Sequence, residues 1–143
     1  MQESVFVIVG HALNDNKEPE SVSMPERMMI LRAFETPDDV REFEKGRFEI
    51  VHIGGMSLGR ATYEPGWKWS VHVGPKMRQT RCEVEHLGYV VSGVATAAFA
   101  DGRVVEMKPG QLFYIPPEPH DSWVVGHQPY VSLHLIGANH YGR

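Results

Sequence analysis

Apolar and polar positions alternate with a period of two over most of the chain from Phe48 to Ile136. That spacing places successive side chains on opposite faces of an extended backbone, which is the signature of half-buried β-strands. The pattern predicts strands over residues 48–53, 57–63, 67–73, 84–92, 94–100, 103–107, 111–115, 122–125 and 130–136. Between them lie Gly54-Gly55, Glu64-Pro65-Gly66, Asp101-Gly102, Lys108-Pro109-Gly110 and Gly126-His127-Gln128-Pro129, all turn chemistry. Asp101-Gly102 is the strongest of these, because a two-residue hairpin loop requires positive φ at both positions and Asp-Gly adopts it at low cost. Short strands at close spacing predict an all-β, antiparallel sandwich or barrel.

One segment breaks the period. Thr36-Pro37-Asp38-Asp39-Val40-Arg41-Glu42-Phe43-Glu44-Lys45-Gly46 predicts one short N-terminal helix. Thr36 can serve as N-cap and Pro37 suits the first helical position. Asp38 and Asp39 complement the helix dipole, and Gly46 can end the helix. Residues 1–28 predict an extension to a single domain over 29–143. Within the extension, Val5-Phe6-Val7-Ile8-Val9 is an apolar run that suits an edge strand, swapped or added to a partner's sheet. The polar stretch from Asn14 to Ser21 has no periodicity, and disorder is the other reading of the extension.

At 143 residues the chain suffices for one domain with a core. A formal charge of -4 with no Lys/Arg run argues against nucleic acid as a partner. No apolar stretch approaches the ~20 residues of a membrane helix. Cys82 is the only cysteine, so no intrachain disulfide forms, and a reduced, cytoplasmic location is expected. The N-terminus lacks the basic region and longer apolar core of a secretory signal.

Two blocks carry the candidate chemistry. The first begins Gly66-Trp67-Lys68-Trp69-Ser70-Val71-His72 and continues Cys82-Glu83-Val84-Glu85-His86-Leu87-Gly88-Tyr89-Val90-Val91-Ser92-Gly93. The second is Lys108-Pro109-Gly110-Gln111-Leu112-Phe113-Tyr114-Ile115-Pro116-Pro117-Glu118-Pro119-His120. Together they resemble the two conserved blocks of a cupin, and the likeness spans about Phe48 to Ile136. It implies a jelly-roll β-barrel, usually with one metal ion at its centre, and a homodimer. A subgroup of single-domain bacterial cupins looks similar, with a Cys-three residues-His spacing and a Pro-Pro-Gly-His-Asp type of corner; no single activity follows from that likeness.

Residue by residue, the resemblance carries over His72 as the first histidine of the pattern and His120 as its last. Counting back from Gly93, His86 stands where the family usually has glutamate and Cys82 where it has a second histidine. The counts from Gly66 and from Gly93 differ, so 74–81 reads as an inserted loop. Glu118 replaces a usual glycine. The implied metal ligands are therefore His72, Cys82, His86 and His120. A thiolate among imidazoles favours zinc, with iron, nickel, copper or manganese as further options.

Geometry sets one condition on that set. On a straight strand Cys82 and His86 would lie ~13 Å apart, at ~3.3 Å per residue, too far for one ion. Joint ligation needs a bend between them; without it the set is His72, His86 and His120. Glu118 and Asp121 flank His120 and are the candidate catalytic residues, Glu118 as general acid/base and Asp121 as a carboxylate that orients an imidazole. His52 and His134 read as packing residues, and His11, His127 and His140 as solvated. Alternation puts Trp67 and Trp69 on the face opposite His72, as outer packing, and Tyr114 and Trp123 read as core. The functional expectation is a metal-dependent enzyme acting on a small polar molecule. The alternative is a non-catalytic module that binds or senses a small ligand.

Overall fold

The computed structural model describes residues 28–142. The expectations for Val5 to Val9 and for the polar stretch after it lie outside the described residues. Met28 to Arg32 carry no regular secondary structure, and the residues from Ala33 onward form a compact unit.

That unit is built almost wholly of strands. In chain order they are β1 (Asp39–Phe43), β2 (Gly46–Ile53), β3 (Met56–Tyr63), β4 (His86–Ser92), β5 (Val94–Phe99), β6 (Val104–Met107), β7 (Leu112–Ile115), β8 (His120–Asp121), β9 (Val124–Val125) and β10 (Tyr130–Ile136). Two single-turn helices, α1 (Trp69–His72) and α2 (Gly74–Met77), lie between β3 and β4. A six-stranded sheet has the order β1-β2-β3-β10-β4-β7, a second has the order β6-β5-β8, and β9 pairs with β5. Every pairing is antiparallel. The core between the sheets is made by inward positions such as Phe48, Ile50, Ala61, Val90 and Ala95.

The expected all-β antiparallel fold is thus the observed one, but its helix lies elsewhere. Residues 39–43, placed in a helix by the sequence signals, are strand β1, with Asp39 opposite Ile50 and Phe43 opposite Gly46. A helix of about ten residues is marginal unless it buries one face. The free edge of β2 offers a row of unpaired backbone groups instead. The capping signals serve this hairpin. The Asp38 N–H donates to the Ile50 carbonyl at 2.8 Å, and the Asp38 carboxylate accepts the His52 N–H at 2.7 Å. Lys45, with φ 60, makes the tight turn of the hairpin, and Gly46, expected to end a helix, begins β2 instead.

The expected strand over 67–73 is also corrected. Only Lys68 bridges, to Trp123, and residues 69–72 turn as α1, because the Asp121 carboxylate accepts the Ser70 N–H at 3.0 Å and the Ser70 hydroxyl at 2.7 Å. Alternation no longer applies there, so Trp67 and Trp69 are buried rather than on an outer face. Trp67 stacks on Tyr63 with ring centroids 3.7 Å apart. The inserted segment is not simply a loop either: it opens with α2, closed by Arg78 in the left-handed conformation.

Gly93 passes the chain from β4 in the large sheet to β5 in the small one. Its φ is +72, and a Cβ there would collide with the Pro129 carbonyl oxygen and lie 2.7 Å from the Tyr130 Cα. Gly102, in the Asp-Gly hairpin, has φ +91 but open space around it. Gly93→Ala is therefore expected to cost more than Gly102→Ala. The left-handed conformation alone costs about 1–2 kcal/mol at either site, and only Gly93 adds a backbone clash. Denaturant midpoints of the two variants test this; equal losses would contradict it.

Candidate metal centre

Cys82 and His120 are held face to face by two backbone hydrogen bonds. The Cys82 N–H donates to the His120 carbonyl at 2.9 Å, and the His120 N–H to the Cys82 carbonyl at 3.0 Å. Residues 83–85 then bend without regular structure before β4 starts at His86. The bend brings the Cys82 Sγ within 3.5 Å of the His86 Nε2, against the ~13 Å of a straight strand. Ligand atoms of Cys82, His86 and His120 all lie within 4.8 Å of one another, and all three residues are buried.

This arrangement fits a metal on two counts. Sulfur at ~2.3 Å and nitrogen at ~2.0–2.1 Å from a tetrahedral ion would be about 3.5 Å apart, the separation observed. The His120 Nδ1 also lies 2.8 Å from the Glu118 carbonyl, which fixes the tautomer that leaves Nε2 free as a ligand. Three protein donors leave a position open for a further ligand.

The environment is dry. Burial, chiefly, together with His134 and His120 nearby, pushes the His86 pKa well below its ordinary value. Burial likewise lowers His120, partly offset by the Glu118 carbonyl and the carboxylates of Asp121 and Glu118. It takes His134 down to about 4 and lifts the Cys82 thiol to about 11. The imidazoles are thus neutral and ready to ligate at pH 7, whereas the thiol must give up a proton on binding.

The cluster opens on a cavity of about 40 Å³. Trp69, Phe113, His134 and Tyr141 are among its walls. Tyr141 reaches it from the C-terminal segment, where its hydroxyl bonds to the Tyr63 hydroxyl at 2.6 Å. Arg41 holds that segment by donating to the carbonyls of Ala138, Asn139 and Tyr141.

The other candidates sit elsewhere. His72, the last residue of α1, lies outside the converging set; its Nδ1 accepts the Lys68 N–H at 2.9 Å. Glu118 pairs with Arg103 at 2.8 Å, and what it offers His120 is its carbonyl. Asp121 is occupied in anchoring α1, and neither carboxylate lines the cavity. His134 is buried as expected of a packing residue, but it also faces the site: its ring lies 5.4 Å from that of His86 and its Nε2 is 3.0 Å from the Ser132 hydroxyl. The alternation of Tyr130, Ser132 and His134 along β10 was the signal for this. Nothing in the sequence marked Tyr141. His52 proves exposed, with Nδ1 on Ser57, and Tyr114 is 59% exposed rather than core. Trp123 is half-buried, with the Lys68 ammonium over its ring.

Comparison with known proteins agrees with this architecture. The cupin domain family model matches residues 59–136, more than half of the chain, and the chain belongs to that family. No curated protein matches it significantly. Among solved structures, the polyketide cyclase RemF from Streptomyces resistomycificus superposes with a TM-score of 0.55 at 22% identity, over 78% of this chain and 80% of that one. A point mutant of the Bacillus subtilis oxalate decarboxylase OxdC gives 0.52 at 21% identity, over 70% of this chain but only 28% of that one. A Rhizobium leguminosarum protein of unknown function gives 0.51 at 17% identity, over 76% and 97%. At these identities the likeness is one of fold. No helix among the described residues is long and apolar enough to cross a membrane.

The histidine and thiol shifts set a pH window for the metal-free protein. His134 has its pKa lowered from 6.5 to about 4, so its neutral burial favours the fold above pH 6.5. That contribution, about 3 kcal/mol, is lost as pH falls from 6.5 to 4, because the unfolded chain takes up the proton first. Cys82, raised from 9.0 to about 11, favours the fold below pH 9 and loses that contribution as pH rises to 11. Thermal midpoints of chelator-treated protein should therefore be highest between about pH 6.5 and 9, and His134→Gln should flatten the acid limb. An acid limb unchanged in the variant would contradict the assignment.

Proposed function

We propose that this cupin is a metal-dependent enzyme acting on a small polar molecule, with one zinc ion held by Cys82, His86 and His120. The observation that carries the reading is the convergence of one buried sulfur and two buried imidazoles beside a cavity, with donor spacing suited to a tetrahedral ion. His72, nominated by the resemblance, is outside this set, and the three-donor set leaves the open position that catalytic sites retain.

A bound divalent ion supplies Lewis-acid chemistry there, polarising a substrate oxygen or lowering the pKa of bound water. The chain's own residues do the rest. The Glu118 carbonyl orients His120, and the Cys82–His120 backbone pair fixes two donors relative to each other. Trp69, Phe113 and Tyr141 give the cavity aromatic walls. His134, hydrogen-bonded to Ser132, is the cavity imidazole left free to exchange a proton, a role that neither Glu118 nor Asp121 can reach from its present partners.

The same reading places the protein in the cytoplasm as a homodimer. The one cysteine is free and buried, as suits a reducing compartment. The outer face of β10, β4 and β7 is apolar across adjacent strands. Tyr89 lies opposite both Leu133 and Leu112, and Leu87 opposite Tyr114. A contiguous exposed face of this kind suits a second copy.

Elemental analysis with X-ray absorption on untagged protein tests the site. The expected result is about one zinc per chain with mixed sulfur and imidazole coordination. His120→Ala should weaken zinc binding by more than the ~10–100-fold typical of changes behind the ligands. Full metal content in both His120→Ala and Cys82→Ser would refute the ligand set. A four-protein-ligand closed site would favour a non-catalytic binding module instead.

A further inference from the structure

Four buried side-chain nitrogens have no hydrogen-bond partner among the described residues: Trp67 Nε1, Trp69 Nε1, His86 Nδ1 and His134 Nδ1. All four belong to residues that line the one cavity beside the metal cluster. Leaving a buried polar group unpaired is costly, and native proteins rarely do so without an occupant to meet it. Trp67 Nε1 lies against Gly46 and is set aside. Trp69 Nε1 carries a hydrogen that can only be donated.

The tyrosine pair adds a second donor. Tyr63 and Tyr141 share one hydrogen bond, at 2.6 Å, and bring two hydroxyl hydrogens to it. One hydrogen lies in that bond, and among the described residues no acceptor meets the other. Both residues are buried and both line the cavity. The groups of fixed polarity that await a partner are therefore donors, and the two imidazoles can supply either polarity.

Charge points the same way. A divalent ion on one thiolate and two neutral imidazoles leaves one net positive charge in a buried site. The lining contains no Asp, Glu, Lys or Arg to balance it. An uncompensated buried charge is strongly disfavoured, and Asp121, the carboxylate behind His120, is already tied to Ser70 and Lys68, so an anion entering the cavity would offset the ion's charge. Size sets the last limit. A cavity of about 40 Å³ has room for roughly three water-sized positions.

We propose that this cavity takes a small oxyanion of about three heavy atoms, of the formate kind, beside the metal. Its oxygens accept from Trp69 Nε1–H and the unspent hydroxyl of the Tyr63–Tyr141 pair, while its charge offsets that of the ion. This names the ligand class of the site described under Proposed function and rests on that reading.

Cobalt(II)-loaded protein provides the test, with formate as probe and formamide as its neutral counterpart of equal size. A thiolate-to-cobalt charge-transfer band first reports whether the ion sits on Cys82. Formate should then shift the visible bands saturably, and formamide should not. Trp69→Phe, which keeps an aromatic side chain and removes the donor, should weaken formate binding by roughly ten-fold, as loss of a hydrogen bond to a charged group does. The Tyr63→Phe/Tyr141→Phe double variant, which removes both hydroxyls, should do the same and serves if Trp69→Phe does not fold.

A charge-transfer band with no response to formate, or an equal response to formamide, overturns the oxyanion inference and leaves the metal site standing. Formate binding that is unaltered in both variants overturns the assigned donors. Absence of the charge-transfer band overturns the Cys82 site and the inference with it.

Discussion

The centre of this protein depends on a bend of the backbone between Cys82 and His86. Two side chains four residues apart on a strand share a face but cannot share an ion. Here the Cys82 backbone is committed to His120 through a reciprocal pair of hydrogen bonds, and His86 is committed to β4, opposite Ile115. Residues 83–85 must turn to satisfy both, and the turn closes the sulfur onto the imidazole. The Glu85 carbonyl lies so close to Gly137 that a Cβ there would collide with it, so the C-terminal segment supports the same bend from behind. Sheet pairing, rather than any local preference of residues 82–86, thus builds the site.

Burial then gives the cluster its chemistry. Dehydration disfavours the charged form of every group, which keeps the imidazoles neutral and the thiol protonated until an ion replaces its proton. The cavity is small because aromatic rings fill the space between the sheets, and because Tyr141 enters from the last described turn. Arg41 on β1 fixes that turn by gathering three of its carbonyls. The strand that replaced the expected helix therefore contributes to closing the site, since only in an extended segment does Arg41 face the C-terminal turn while Val40 and Glu42 face away.

The site also departs from its family's usual donor set in a way that changes its electrostatics. Replacing a carboxylate by His86 removes one negative charge from a buried place. Glu118 is paired to Arg103 and Asp121 to Ser70, so neither carboxylate lines the cavity, although both act on His120 from outside it. The walls hold indole and phenol donors instead. With an ion bound, such a centre would prefer an anion, and that preference would arise from the residues present rather than from the fold, which serves many chemistries.

The sequence by itself determined most of the strands from β2 onward, the turns, the all-β class and three of the converging residues, Cys82, His86 and His120; it placed a strand at 67–73 where the chain turns and missed the short β8. It could do so because a period of two and glycine-rich turns are local properties of the chain, and because the two blocks bring their histidines at fixed distances from turns. It also fixed the condition that a bend must join Cys82 to His86. Tertiary structure decided the rest. Residues 39–43 became a strand because the edge of β2 outweighed short-range capping signals. Trp67 and Trp69 turned inward because Asp121, distant in sequence, captured Ser70 and wound α1. His72 fell outside the converging set for the same reason, His134 faced the site through its place on β10, and Tyr141 arrived from a turn with no periodicity. Each of these outcomes rests on contacts between residues far apart in the chain, and such contacts leave no trace in the local pattern of hydrophobic and polar positions.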